Sequence, residues 1–248
     1  WFLTSEGMDR YNGHDIRHYK LIEANRELNS EVNLGWLYAD KKGGIWVVGK
    51  KGRIFRYEEK YDHFKMVYKL PEATDVINYG YMDHNSTIWL CSKDSILLYN
   101  TETTQTTQFP NVLDDDITVV EQTDDTHFFI ATEMGVRYTQ LDKGTLHIIP
   151  LETLDNVYTQ INGLYFHRQL QRLFIGTFSD GTFAYDMSTQ KIIKSDTVLN
   201  KTKDPLIESY GRIFYAAKIK TTGFISDYYR VITVCDYCIY EWAGSSCI

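Results

Sequence analysis

Five aromatic residues, Trp1, Trp46, Trp89, Phe129 and Phe174, recur at intervals of 45, 43, 40 and 45 residues. Each opens a similar stretch: "WFLTSEGMDRY", "IWVVGKKGRIFRY", "TIWLCSKDSILLY", "HFFIATEMGVRY" and "RLFIGTFSDGTFAY". A small or polar turn follows each anchor, then an apolar run that ends in tyrosine at Tyr11, Tyr57, Tyr99, Tyr138 or Tyr185. A period of this length constrains the fold more than any local feature, because one copy cannot bury its own apolar surface and must stack on the next.

Within a period the pattern is that of short strands. The second copy reads as strand A "LGWLYAD", strand B "GIWVVGK", strand C "RIFRYEE" and strand D "HFKMVYKL", with polar turns between them. Alternation of period two recurs, as in Ile54 and Arg56 against Phe55 and Tyr57, and helical periodicity is nearly absent. Four strands in about 40–50 residues is the signature of a β-propeller blade. The fold expected is all-β, a propeller of four-stranded antiparallel blades, with five or six blades in this chain. The ring is expected to be incomplete or closed by the C-terminal strand, with "RVITVCDY" (230–237) lying beside residues 1–4. The five anchors are expected to be structural wedges between neighbouring sheets, since buried aromatics dominate such packing. Asp40 precedes Trp46 by six residues and Asp83 precedes Trp89 by six, while Gln122 and His167 stand near that turn position in later copies.

The stretch "LYADKKGGIWVVGKKGRIFRY" resembles the two-component regulator propeller repeat, whose pattern is roughly I-x-x-D-x-x-G-x-[LI]-W-[IV]-G-T-x-x-G-[LI]-x-R-[YF]. The resemblance runs from residue 1 to about 195 and weakens where Phe129 and Phe174 replace tryptophan. It implies an extracytoplasmic sensor region of a bacterial hybrid two-component histidine kinase, of the kind that detects oligosaccharides. No kinase phosphoacceptor or nucleotide-binding region is visible, so membrane attachment would come only through a parent protein.

The chain is expected to be a single propeller domain over 1–248, with clear repeats over 1–195 and a degenerate tail over 205–248. In that tail Phe214 and Trp242 compete for the role of anchor but lie only 28 residues apart. A changed reading frame or a non-native end would produce such a tail, and so would a divergent last blade.

Composition narrows the function. The net charge of −7 and the lack of a Lys/Arg stripe remove the electrostatic footprint expected for nucleic acid. "CDYC" (235–238) has the spacing of a zinc or redox site but lacks a second ligand pair or a βαβ context, so no metal or cofactor is expected. "GTFSDG" (176–181) misses the spacing of a nucleophile elbow, and "DDD" (114–116) lacks the alternation of a calcium loop. No catalytic motif stands in the chain.

A ligand is expected on the face that carries the B–C and D–A loops. The B–C loops supply Lys50, Lys51, Asp94, Glu133 and Asp180, and the D–A loops supply Arg26, Asp115 and Tyr158. These offer charge, hydrogen bonds and one aromatic platform to a polar ligand such as a sugar. The expected function is a non-catalytic, ligand-sensing or interaction propeller of a hybrid two-component system, periplasmic or extracytoplasmic, responding to an oligosaccharide and able to form a homodimer. The alternatives are a glycan-active hydrolase or lyase on the same fold, or a non-catalytic scaffold or truncated sensor remnant.

Overall fold

The computed structural model describes residues 1–4, 7–23, 26–28, 34–71, 76–155, 160–177, 182–194, 215–218, 229–235 and 238–241. Among the described residues six mainly antiparallel sheets follow one another along the chain. The first joins β1 (Phe2–Thr4), β2 (Gly7–Tyr11) and β3 (Ile16–Tyr19). The second is built on β6 (Leu34–Ala39), β7 (Ile45–Gly49), β8 (Arg53–Glu58) and β9 (His63–Lys69). The third orders β10 (Tyr79–Met82), β11 (Thr87–Cys91), β12 (Ser95–Asn100) and β13 (Thr106–Pro110). The fourth orders β14 (Ile117–Gln122), β15 (His127–Thr132), β16 (Gly135–Asp142) and β17 (Thr145–Ile149). A four-residue helix, α1 (Glu152–Asp155), precedes the fifth sheet of β18 (Ile161–His167), β19 (Arg172–Thr177), β20 (Thr182–Asp186) and β21 (Lys191–Lys194). The sixth joins β22 (Tyr215–Lys218), β23 (Tyr229–Cys235) and β24 (Cys238–Glu241). These are propeller blades, and strands A to D of the second copy coincide with β6 to β9.

The register of the ladders explains the repeat. Trp46 stands between Tyr38 and Arg56. Trp89 stands between Tyr81 and Leu98, and Phe174 between Tyr165 and Ala184. The anchor therefore occupies one register position in each of these blades.

Two compact units divide the chain, Trp1–Thr118 with Asp124–His127 and Gln140–Ile148 in the first, and Val119–Thr123, Phe128–Thr139 and Ile149–Ile248 in the second. In the first unit Trp1 and Trp46 each meet the following sheet. Trp1 lies edge-on to Tyr57 and Phe64 at 4.7 and 5.4 Å, and Trp46 lies against Tyr99 at 6.2 Å. Trp46 and Trp89 are fully buried. Truncating a core side chain of this size costs roughly 3–5 kcal/mol. In the second unit Phe129 packs on Phe166 at 5.9 Å within a core that includes Leu154 of α1. Gly52 turns β7 into β8 with φ +67°, and a Cβ there would run into the Leu70 side chain. Only glycine satisfies both conditions.

Several expectations are corrected. The described part of the 230–237 segment does not pair with residues 1–4: β23 is the central strand of its own sheet, with β22 and β24 on its two edges. A strand paired on both edges has no ladder groups left to close a ring. Phe174 holds the anchor's register but stays half-buried and stacks on Tyr165 at 6.2 Å, because the core of the second unit takes its neighbours Leu173 and Ile175 from the opposite face of β19. The link after β3 is also not a plain loop. It forms β4 (Leu21–Glu23), which pairs in parallel with β9, and β5 (Arg26–Glu27), which pairs back on β4. This covers the outer edge of the second sheet, which would otherwise present unpaired N–H and C=O groups. Phe214 and Trp242 lie outside the described residues. Among the described residues no helix is long and apolar enough to cross a membrane.

Candidate functional site

Antiparallel strands bring the A–B and C–D turns to one end of a blade and the B–C and D–A turns to the other. In the first unit the first of these ends carries an open cleft of about 790 Å³. The A–B turn of the second blade (Asp40 to Gly44) and its C–D turn (Glu58 to Tyr61) form much of the wall. Trp1 and Arg10 of the first blade and Ser86, Thr101 and Glu102 of the third complete it.

Asp40 organises the A–B turn. Its Oδ1 accepts the backbone N–H of Lys42 at 2.9 Å and of Gly44 at 2.7 Å, and its Oδ2 accepts the indole N–H of Trp46 at 2.8 Å. Burial works against the carboxylate, but the bonds from Trp46, Gly44 and Lys42 outweigh it and hold Asp40 below the usual carboxylate range. Asp83 repeats the arrangement one blade on, accepting from Asn85 and Thr87 at 2.9 and 2.8 Å and from the Trp89 indole at 3.1 Å. The six-residue spacing read in the sequence is thus a hydrogen-bonded clamp between turn and wedge. The next blade keeps only the turn half of the clamp. There Asp124, rather than Gln122, accepts the N–H groups of Thr126 and His127 at 2.9 Å, and phenylalanine has no N–H to add. The shift of this aspartate by one place hid it from a search at fixed spacing.

Beyond the clamp, the cleft presents aromatic and cationic groups. The guanidinium carbon of Arg56 lies 5.4 Å from the centre of the Trp46 ring, and that of Arg10 lies 5.6 Å from Trp1. Arg10 also donates to the Tyr57 hydroxyl at 3.3 Å. Beside the cleft, Tyr57 and Tyr19 both donate to Asp62 Oδ1, at 2.7 and 2.8 Å, while Arg17 pairs with the other oxygen. Burial, with the bond to Asp62 added, pushes the Tyr57 hydroxyl up to about 12. Glu102 pairs with Lys42 at 2.9 Å, and that contact holds its carboxyl low. Glu58 faces Lys65 at 3.5 Å.

The residues named from sequence that the structure describes lie outside this cleft. Lys50 and Lys51 are exposed on the β7–β8 turn, Asp94 on the β11–β12 turn and Glu133 on the β15–β16 turn. Asp94 and Asp115 are brought together by Asn111, whose backbone N–H donates to the Asp94 carbonyl at 3.0 Å and whose side-chain amide donates to the Asp115 carbonyl at 2.9 Å. Arg26 sits in β5 rather than in a loop. Tyr158 and Asp180 lie outside the described residues. None of the six described ones lines the cleft.

No protein-family model matches the sequence, and no curated protein matches it significantly. Solved structures do resemble it. The extracellular domain of BT3049 from B. thetaiotaomicron, named as a hybrid two component system, shares 18% identity at a TM-score of 0.56 over 78% of this chain and 28% of that one. Virginiamycin B lyase from Staphylococcus aureus shares 14% identity at a TM-score of 0.55 over 76% of this chain and 62% of that one. PorZ, named as a surface component of the type-IX secretion system of Porphyromonas gingivalis, shares 14% identity at a TM-score of 0.56 over 84% of this chain and 33% of that one. The fold is that of a β-propeller. The chain spans between 28% and 62% of the length of these structures.

Proposed function

We propose that the chain is an extracytoplasmic, ligand-sensing segment of a hybrid two-component signal transduction system, and that an oligosaccharide occupies the cleft of the first unit. The cleft carries this reading. It has the volume of a small-molecule site and converging polar groups from three consecutive blades, with partly exposed Trp1 and Tyr57 as apolar surface. The repeat's resemblance to sensor propellers and the fold shared with the BT3049 extracellular domain support the system to which it is assigned. Ligand would then shift the population of arrangements in a homodimer.

The cleft is read as non-catalytic. Glycoside hydrolysis needs a carboxylic acid held protonated near neutral pH beside a second carboxylate. Among the described residues four carboxylates line the cleft, Asp40, Glu58, Glu59 and Glu102, and of these Asp40 and Glu102 are held low while Glu58 faces Lys65. Propellers also serve as enzymes, as the lyase likeness shows, so the chemistry has to be judged at the site.

Calorimetric titration with oligosaccharides of several linkage classes tests the reading. Saturable heat with at least one class is expected. Absence of heat with every class would overturn the oligosaccharide assignment.

A further inference from the structure

We infer that the cleft selects an acidic saccharide, one bearing carboxylate or sulfate groups, and that Arg10 and Arg56 are the residues that recognise it. The inference rests on the oligosaccharide reading above and narrows it.

The charges of the cleft are not equally available. Asp40 is saturated by two backbone N–H groups and the Trp46 indole. Glu102 is paired with Lys42 and Glu58 with Lys65, while Glu59 and Lys60 line the cleft with no ion pair among the described residues, Lys60 lying over the Tyr61 ring. Asp62, beside the cleft, is engaged by Tyr19, Tyr57 and Arg17. Arg10 and Arg56 have no ion pair among the described residues, although both are exposed to the cleft. Each is held over an indole ring, at 5.6 and 5.4 Å, and Arg56 lies directly across the β7–β8 ladder from Trp46.

A guanidinium held in this way keeps its fork of N–H donors in place with less entropy to lose on binding, and the fork matches a carboxylate or sulfate in a two-point contact. The fold itself does not require arginine there. The third blade has Leu98 opposite its Trp89, and the fifth has Ala184 opposite its Phe174. The arginine–tyrosine pair also occurs as Arg137–Tyr138 in the fourth copy, but of the three arginines only Arg10 and Arg56 line the cleft.

The test uses the full chain and three probe sets at 50 and 300 mM salt: oligogalacturonides for carboxylate, chondroitin sulfate oligosaccharides for sulfate, and malto- and xylo-oligosaccharides as neutral sugars. Binding of an acidic set, weaker at the higher salt, is expected, and the set that binds distinguishes carboxylate from sulfate. Arg56→Leu copies the third blade and so is compatible with the sheet. It is expected to weaken binding about tenfold or more, as is Arg10→Met. Arg56→Lys keeps the charge and loses the fork, and a loss of several-fold is expected. Binding of neutral sugars alone would overturn the acidic selection and leave the oligosaccharide reading standing. Acidic binding unchanged in all three variants would overturn the assignment of the arginines. No binding by any set would overturn the oligosaccharide reading and this inference with it.

Discussion

Glu121 gives the strongest test of the energetics of the second unit. It stands eight residues before Phe129, where Tyr38 stands before Trp46 and Tyr81 before Trp89, so a carboxyl occupies a place that other blades give to tyrosine. Its Oε1 accepts the backbone N–H of Phe166 on β18 at 2.8 Å. Burial raises its carboxyl from the ordinary 4.5 to about 7, and neither that hydrogen bond nor the charge of Arg168 offsets the rise. The folded state therefore binds this proton more tightly than the unfolded state does, and stability falls as pH rises. No penalty exists below about 4.5, and the full penalty is present above about 7. Its size is about 3 kcal/mol at most, at 1.4 kcal/mol per tenfold change in proton affinity. Glu121→Gln keeps an acceptor for Phe166 and cannot ionise. It is expected to match the native chain near pH 4.5 and to exceed it by about 1–3 kcal/mol at pH 8, the range allowing for the lost attraction to Arg168. Urea unfolding followed by circular dichroism at both pH values measures the difference, and an NMR titration of the Glu121 carboxyl measures the affinity directly. Equal differences at pH 4.5 and pH 8, or a titration midpoint near 4.5, would refute the reasoning.

Other expectations concern the clamp and the buried Cys91. Asp40→Ala removes the acceptor of three donors and is expected to cost about 2–3 kcal/mol in urea unfolding. The stabilisation from Asp40 ionisation should hold at neutral pH and be lost as pH falls below about 4, because the folded carboxyl titrates below its unfolded value. Cys91 is buried, and burial pushes its thiol up to about 12, so peptide mapping after maleimide treatment should find it unlabelled in the native protein and labelled in urea.

The blades were legible because the repeat is enforced at every level. Trp46 and Trp89 are wedges, their register partners are fixed by the ladder, and the aspartates six residues earlier are spaced for a bond to the indole N–H. The parallel strand β4 was not legible. "LIE" (21–23) carries no alternation long enough to mark a strand, and its pairing depends on the unpaired edge of β9, more than forty residues away in sequence. Phe174 misled for a related reason. Identity at the anchor position does not say which face of the strand the core will use, and in β19 the core takes Leu173 and Ile175.

The cleft was less legible than the fold because a blade has two loop-bearing ends of similar composition. Lys50, Lys51, Asp94 and Glu133 are as polar as Lys41, Lys42, Lys60 and Glu102, and only the latter line the cleft. One signal was present in the sequence. The "R-Y" pairs at Arg10–Tyr11 and Arg56–Tyr57 follow Trp1 and Trp46 by nine and ten residues, the distance that returns a strand C side chain to its strand B anchor. The same position holds Leu98 in the third copy and Ala184 in the fifth, but the fourth copy keeps the pair as Arg137–Tyr138, so the pattern alone does not single out the first two blades. An arginine placed over an aromatic ring and left without a carboxylate is architecture in isolation. Two of them lining one cleft, beside three engaged acids and one, Glu59, without an ion pair among the described residues, leave the site with an excess of positive charge directed at whatever enters it, and the choice between acidic and neutral sugars follows from that excess.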